Sequence, residues 1–159
     1  MRLSRLSLGL HILLSLSLAP LLSEAKTYDL VRDFGAVKGD DSLATAQKNG
    51  AAFNTSLKAL ESGDTLVLPN GTFHVMGGIQ ARDKVGLTLS IDGTIVVSDD
   101  MKHWPRSGNG DKAKVLEFFH FWNMTDFTIT SSQLPTPGAR GANAGANGVG
   151  LIDGKGATW

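Results

Sequence analysis

The chain has 159 residues, with 15 Lys and Arg against 15 Asp and Glu, so bulk charge offers nothing to recruit nucleic acid or an anionic membrane surface. It contains no cysteine. Disulfide staples and thiolate chemistry are therefore excluded, and stability has to come from buried apolar surface.

The first 25 residues read as a secretory signal peptide. Arg2 and Arg5 form a positive start, Leu6 to Leu22 is a Leu/Ser-rich apolar run, and Ser23-Glu24-Ala25 puts small residues at the −3 and −1 positions of a cleavage site. The run is short and serine-diluted for a membrane anchor, and no other segment approaches a span. The expected product is secreted, runs from Lys26 to Trp159, has the size of one domain, and has no membrane contact after cleavage. Three glycosylation sequons, at Asn54, Asn70 and Asn123, agree with that route.

One amphipathic helix is legible. Leu43, Ala46, Gly50, Phe53, Leu57 and Leu60 recur at three- and four-residue steps. Asp40, Asp41 and Ser42 stand before it as N-cap candidates and Gly63 after it as a stop. Gly50 within the stripe either weakens the helix or marks a close approach of backbone. Beyond Gly63 the pattern turns to short strands: 65–68, 72–75, 87–91, 94–97, 115–121, 127–130 and 149–152. Turn residues punctuate them at Pro69-Asn70-Gly71, Asp92-Gly93, Asn123 and Asp153-Gly154. A strand, one helix and then only strands is awkward for a Greek-key sandwich and suits a β-solenoid with a capping helix. The two copies of Ile-Asp-Gly, at Ile91 and Ile152, suggest equivalent turns a whole number of rungs apart. Between them, the Gly/Ala-rich segment 135–148 reads as a loop within the domain.

Several segments together resemble the pectin-degrading glycoside hydrolases that include the polygalacturonases (glycoside hydrolase family 28). They are Tyr28 to Ala36, Gly39-Asp40-Asp41 with its helix, Ile91-Asp92-Gly93-Thr94-Ile95, Trp104-Pro105, Leu116-Glu117-Phe118, and Gly150 to Trp159 with its Ile-Asp-Gly-Lys-Gly signature. The resemblance implies an all-β, right-handed parallel β-helix with an N-terminal capping helix, of which this chain is the N-terminal part. It also implies hydrolysis, with inversion, of glycosidic bonds in pectic galacturonan. Pectic polysaccharide is then the expected partner, with no cofactor and no metal.

The sequence departs from that family where chemistry is concerned. Inversion needs two carboxyl groups about 6.5–9.5 Å apart. The resemblance implies that they come from an Asn-Thr-Asp motif and an Asp-Asp pair, with Gly-His-Gly and Arg-Ile-Lys completing the site. None of these occurs in its family position, so no catalytic residue is assigned. Asn54-Thr55 is followed by Ser56 and lies on the helix. Asp40-Asp41 reads as helix capping, and Asp99-Asp100 near His103 and Trp104 as a solvated turn beside a packing aromatic. His74 and His120 read as ordinary strand residues without metal-ligand spacing. Gly108-Asn109-Gly110 and Gly154-Lys155-Gly156 read as turns, because neither joins a strand to a helix as a phosphate loop does. Phe118, Phe119 and Phe121 read as core, and Trp122 and Trp159 as candidates for surface contact. The rival to the enzyme reading is a non-catalytic pectic polysaccharide-binding or structural β-helix. A solenoid ending between rungs also leaves unpaired backbone and apolar interior, so end-to-end self-association is expected.

Overall fold

A computed structural model describes residues 24–132 and 150–156. Most of the leader, the 135–148 segment and Trp159 lie outside the described residues. The described residues form a parallel β-helix with one covering helix, as the order of elements suggests. The strands are β1 (Thr27–Asp29), β2 (Thr65–Leu68), β3 (Thr72–Val75), β4 (Ile79–Arg82), β5 (Thr88–Ile91), β6 (Thr94–Val97), β7 (Arg106–Ser107), β8 (Lys114–Val115), β9 (Phe119–Trp122), β10 (Thr128–Thr130) and β11 (Leu151–Asp153), and the helix is α1 (Leu43–Ala59). Three parallel ladders run β1-β2-β5-β10, β3-β6-β11 and β4-β9. The fourth, β7-β8, is a small antiparallel hairpin.

Period-two patterning explains which side is core. Leu66 and Leu68, Leu89 and Ile91, Phe73 and Val75, Ile95 and Val97, and Ile79 and Ala81 point inward and are buried. The register stacks like on like: Leu66 on Leu89 on Ile129, and Phe73 on Ile95 on Ile152. Outside, the first ladder carries a column of threonines, Thr27, Thr65, Thr88 and Thr128. β-branched residues fit that half-buried, pleated surface.

The helix starts where the sequence places it. Ser42 is the N-cap and its hydroxyl accepts from the Thr45 N–H at 3.2 Å. Asp40 accepts from the Ser42 N–H and the Thr45 hydroxyl, which together hold its carboxyl below the ordinary range, the Thr45 bond contributing most. Lys84 closes the other end, donating to the carbonyls of Lys58 and Leu60 at 3.1 and 2.6 Å. Gly50 is a close approach: a Cβ there would stand 2.7 Å from the Met76 carbonyl oxygen.

That approach shows what the helix is for. The first strands of the second and third ladders, β3 and β4, have no preceding strand among the described residues. The helix takes its place. Buried Asn49 donates to the His74 and Val37 carbonyls and accepts from the Val37 N–H. The Ala46 carbonyl accepts from Met76 N–H. Asn54 donates to the Gly78 carbonyl and accepts from Gln80 N–H.

Two expectations are corrected, and one strand is added to those expected. The two Ile-Asp-Gly copies are not equivalent turns, because Asp153 stands opposite Val96 and Leu151 opposite Thr94. Gly71, Gly93 and Gly150 form the aligned column instead, each directly preceding Thr72, Thr94 and Leu151. Backbone crowding selects the last two: a Cβ on Gly93 would lie 2.5 Å from both the Gly71 and the Pro69 carbonyl oxygens, and one on Gly150 would strike the Ile91 carbonyl, while Gly71 has a φ of 138°. The run 115–121 is two elements, since Val115 ends the hairpin and Phe119 begins a parallel strand. The strand β4, whose alternate residues Gln80 and Arg82 are polar, has too few apolar positions to announce itself in sequence.

Asn49→Ala leaves a buried N–H and two carbonyls without that partner. It is expected to lower unfolding stability by about 3 kcal/mol, whereas Ala51→Gly at an exposed helix position costs about 1 kcal/mol. Urea denaturation of both variants checks the contrast, and equal losses would refute this role for the side chain.

Candidate functional site

The face of the third ladder that points away from the core collects polar and aromatic side chains. Register sets Gln80 beside His120 and Arg82 beside Trp122. Their inward neighbours, Phe119 and Phe121, are half-buried and pack with Phe118 and Phe127 against the core. The aromatic run therefore divides as the sequence suggests, with the phenylalanines inside and Trp122, 38% exposed, outside. The His120 and Trp122 rings meet edge to face at 4.7 Å. His120 Nδ1 lies 3.2 Å from Glu117, whose carboxyl is held below its usual value by its own backbone N–H first and by His120 second.

Between this face and α1 runs a groove of about 500 Å³, lined by Asn54, Lys58, Gln80, Arg82, Lys84 and Trp122 among others. Three cations border it. Lys84 is committed to the helix end, and Arg82 lies 3.5 Å from Asp83 with both side chains largely exposed. Lys58 stands in the last turn of α1. A flat indole beside guanidinium and ammonium groups, with amides from Asn54 and Gln80, matches the chemistry of a sugar ring that carries anionic substituents. Rings stack, cations meet the acid groups, and amides meet hydroxyls.

The other sequence candidates fall into structural roles. Asp100 accepts from the His103 backbone N–H and its Oδ2 is 2.7 Å from His103 Nδ1, which lowers its pKa, the side-chain bond contributing most. The pair closes an exposed turn. Trp104 is buried and donates through Nε1 to the Leu116 carbonyl at 2.7 Å. Asp41, His74, Asp99 and Lys155 line a cleft of about 210 Å³ on the outer side of the second ladder. No cluster of three or more His, Asp or Glu suited to a metal ion exists among the described residues. None of their helices is long and apolar enough to cross a membrane.

The sequons differ in their geometry. Asn70 is exposed at the corner before β3. Asn123 is exposed, and its amide donates to Asp83. In Asn54 the amide nitrogen that would carry a glycan donates to the Gly78 carbonyl, so a glycan there competes for space with the contact between α1 and β4.

Among the described residues two carboxylates are buried, Asp64 and Asp92. Asp92, in the Ile-Asp-Gly turn, accepts from Ser90 Oγ, Ser131 Oγ, Ser132 N–H and Ser132 Oγ, at 3.0, 3.3, 2.7 and 2.7 Å. Burial pushes its pKa up, but these bonds outweigh burial and hold it below the ordinary carboxylate value. Such a fully bonded carboxylate ties one rung to the next and is not free for acid–base work. Sequence alone could not distinguish it from Asp153, which is exposed.

No protein-family profile matches the chain. Over 65 residues it is 38% identical to an iota-carrageenase of Alteromonas macleodii, a stretch covering 41% of this chain and 13% of that enzyme. Two solved structures align with 72% of this chain at 27% identity and a TM-score of 0.45, covering 23% and 24% of their own chains. One is an iota-carrageenase complexed to iota-carrageenan fragments, and the other a 1,3-α-1,4-β-D-galactose-4-sulfate-3,6-anhydro-D-galactose-2-sulfate 4 galactohydrolase. The sequence match makes the chain carrageenase-like over that stretch, and it is not specific to the polygalacturonases that the motifs resemble.

A depressed carboxyl pKa contributes stability that is fully present above the unfolded-state value, about 3.9 for Asp, and is lost as pH falls through the lower folded-state value. Asp92→Asn should therefore cost about 2 kcal/mol at pH 7, with the gap to wild type narrowing below about pH 4. Thermal unfolding of both across pH 2–7 checks this, and a pH-independent gap would refute the carboxylate's role.

Proposed function

We infer that this chain supplies the cap and first rungs of a secreted, glycosidase-type β-helix protein, and that the β4–β9 face binds an anionic, galactose-derived polysaccharide. The observation that carries this reading is the placement of Trp122, Arg82 and Lys58 around one groove. Pectic galacturonan, hydrolysed with inversion, is the substrate that the motif resemblance favours. A sulfated galactan is the second reading, favoured by the carrageenase match. Both are chains of galactose-type rings bearing acid groups, so the same face suits either. Binding is the activity proposed for these residues, because the motifs that would supply the hydrolytic carboxylates have no counterpart in their positions. A purely structural β-helix has no need for an exposed tryptophan beside cations.

Titration with oligogalacturonate, iota-carrageenan oligosaccharides and a neutral galactan separates the readings. The acidic chains are expected to bind with an affinity that falls as salt rises. Trp122→Ala and Arg82→Ala should each weaken binding about tenfold. Equal binding of the neutral galactan, or no effect of either variant, would sink the proposal. Tight binding of one acidic chain alone chooses between the substrates.

The reading also bears on assembly. The interior columns end on Ile129 and Ile152, 49% and 42% exposed, on the outermost described strands of their ladders. Lys26–Trp159 prepared by itself is expected to associate end to end. A sharp monomer peak in size-exclusion chromatography would contradict that.

A further inference from the structure

Asp64 is a carboxylate without a charge partner. It is 3% exposed, and both of its oxygens are occupied by backbone donors: Oδ2 by Glu61 N–H and Oδ1 by Lys26 N–H, each at 2.8 Å. None of the ion pairs among the described residues involves it. A buried carboxylate held by neutral donors alone is costly, and proteins ordinarily pair such a charge.

The position of one donor supplies an answer. Lys26 is the residue that follows the predicted cleavage site, and its nitrogen is the atom released when the Ala25–Lys26 bond is hydrolysed. We propose that removal of the leader converts the Lys26 N–H···Asp64 contact into an ion pair between the new α-ammonium group and the buried carboxylate, so that maturation itself fastens β1 onto the first ladder. This rests on the export reading of the leader.

The chemistry balances simply. A signal-peptidase-type hydrolase adds water across the amide: the C–N bond breaks, hydroxide goes to the Ala25 carbonyl carbon, and Lys26 keeps the nitrogen. At neutral pH the products are a carboxylate on the leader and an ammonium on the mature chain. One N–H donor is thereby replaced by three, together with a full positive charge, at an atom already 2.8 Å from Oδ1. Charge-assisted bonds of this kind are roughly twice as strong as neutral ones.

The surroundings hold the new terminus in place. Thr65 N–H donates to the Lys26 carbonyl at 2.8 Å, and the register continues with Thr27 opposite Thr65. The Lys26 carbonyl therefore keeps its place when the bond is cut, and the new amine stays within reach of Asp64. Asp64 is equally fixed, its own carbonyl accepting from Thr88 N–H in the next rung at 3.0 Å. On the other side, Glu24 and Ala25 are exposed and outside any helix or strand, as a peptidase requires.

The test begins with the full chain and its leader expressed in a secreting host, followed by N-terminal sequencing of the exported product. Lys26 as the first residue is expected. A retained leader overturns the cleaved-leader reading, another terminus overturns the cleavage position, and either overturns this proposal. In product starting at Lys26, reductive dimethylation of the α-amine, followed by mass spectrometry, should be about tenfold slower in the folded protein than in denaturant. Equal rates overturn the ion pair while leaving export intact. A leader altered so that Ala25 is retained should lower the folded-to-unfolded ratio by about 5- to 30-fold, and Asp64→Asn should erase the difference between the two termini. A difference that persists with Asn would also overturn the proposal. The dimethylation rates of the wild-type product decide the question even where Asp64→Asn does not fold.

Discussion

A parallel ladder has to be terminated, because its first strand turns a row of N–H and C=O groups away from any partner. In this chain the N-terminal end is terminated in two ways at once. One ladder is extended by a true strand, β1, which pairs with β2 through Thr27, Tyr28 and Asp29. The other two are closed by α1, whose own backbone, apart from the Ala46 carbonyl that also accepts from Met76 N–H, is spent on its i→i−4 bonds. The helix therefore works mainly through side-chain amides, which carry a donor and an acceptor as a peptide group does. Asn49 and Asn54 act as substitute peptide units against β3 and β4. Gly50 lies between them because the helix must approach close enough for those short side chains to reach.

The corners follow from the same accounting. Where the chain turns from the first ladder to the second, successive rungs bring carbonyl oxygens so near Gly93 and Gly150 that only glycine fits, while Gly71, at the head of the column, is set by its φ of 138°. One rung adds a buried carboxylate, Asp92, which gathers Ser90 from its own strand and Ser131 and Ser132 from the next. Asp64 does comparable work at the other end of the first ladder, linking Lys26, Glu61 and, through its carbonyl, Thr88. With no cysteine to staple rungs, carboxylates and amides fix the inter-rung geometry that apolar stacking alone leaves free to slide.

This explains what could be read in advance. Apolar periodicity exposed α1 and most inward strands, because Phe53, Phe73, Leu66 and Leu89 obey the helix or strand period directly. It failed at β4, where a strand of Ile-Gln-Ala-Arg has a weak apolar signature and owes its conformation to Asn54 and β9. It also failed for the Ile-Asp-Gly pair, since identical tripeptides can sit on different sides of a corner. The true repeat is a single glycine before a strand, too little to stand out among 19 glycines. The outward face was half legible. Trp122 was visible as a candidate, but Arg82 and Lys58 became its neighbours only once the register of β4 with β9 and the seat of α1 were known.

The cationic groove then has an origin in the cap. The last turn of α1 presents unsatisfied carbonyls and the negative end of the helix dipole, which favours nearby cations. Lys58 lies in that turn, and Lys84 reaches across from the segment after β4 to bond its carbonyls. Arg82, two residues before Lys84 on the outward phase of β4, faces the same side as Trp122. A helix placed to close the ladders thus draws positive charge to the edge of an outward face that also bears an exposed indole. A chain with balanced overall charge thereby has a locally basic, aromatic surface, which its net charge alone gives no indication of.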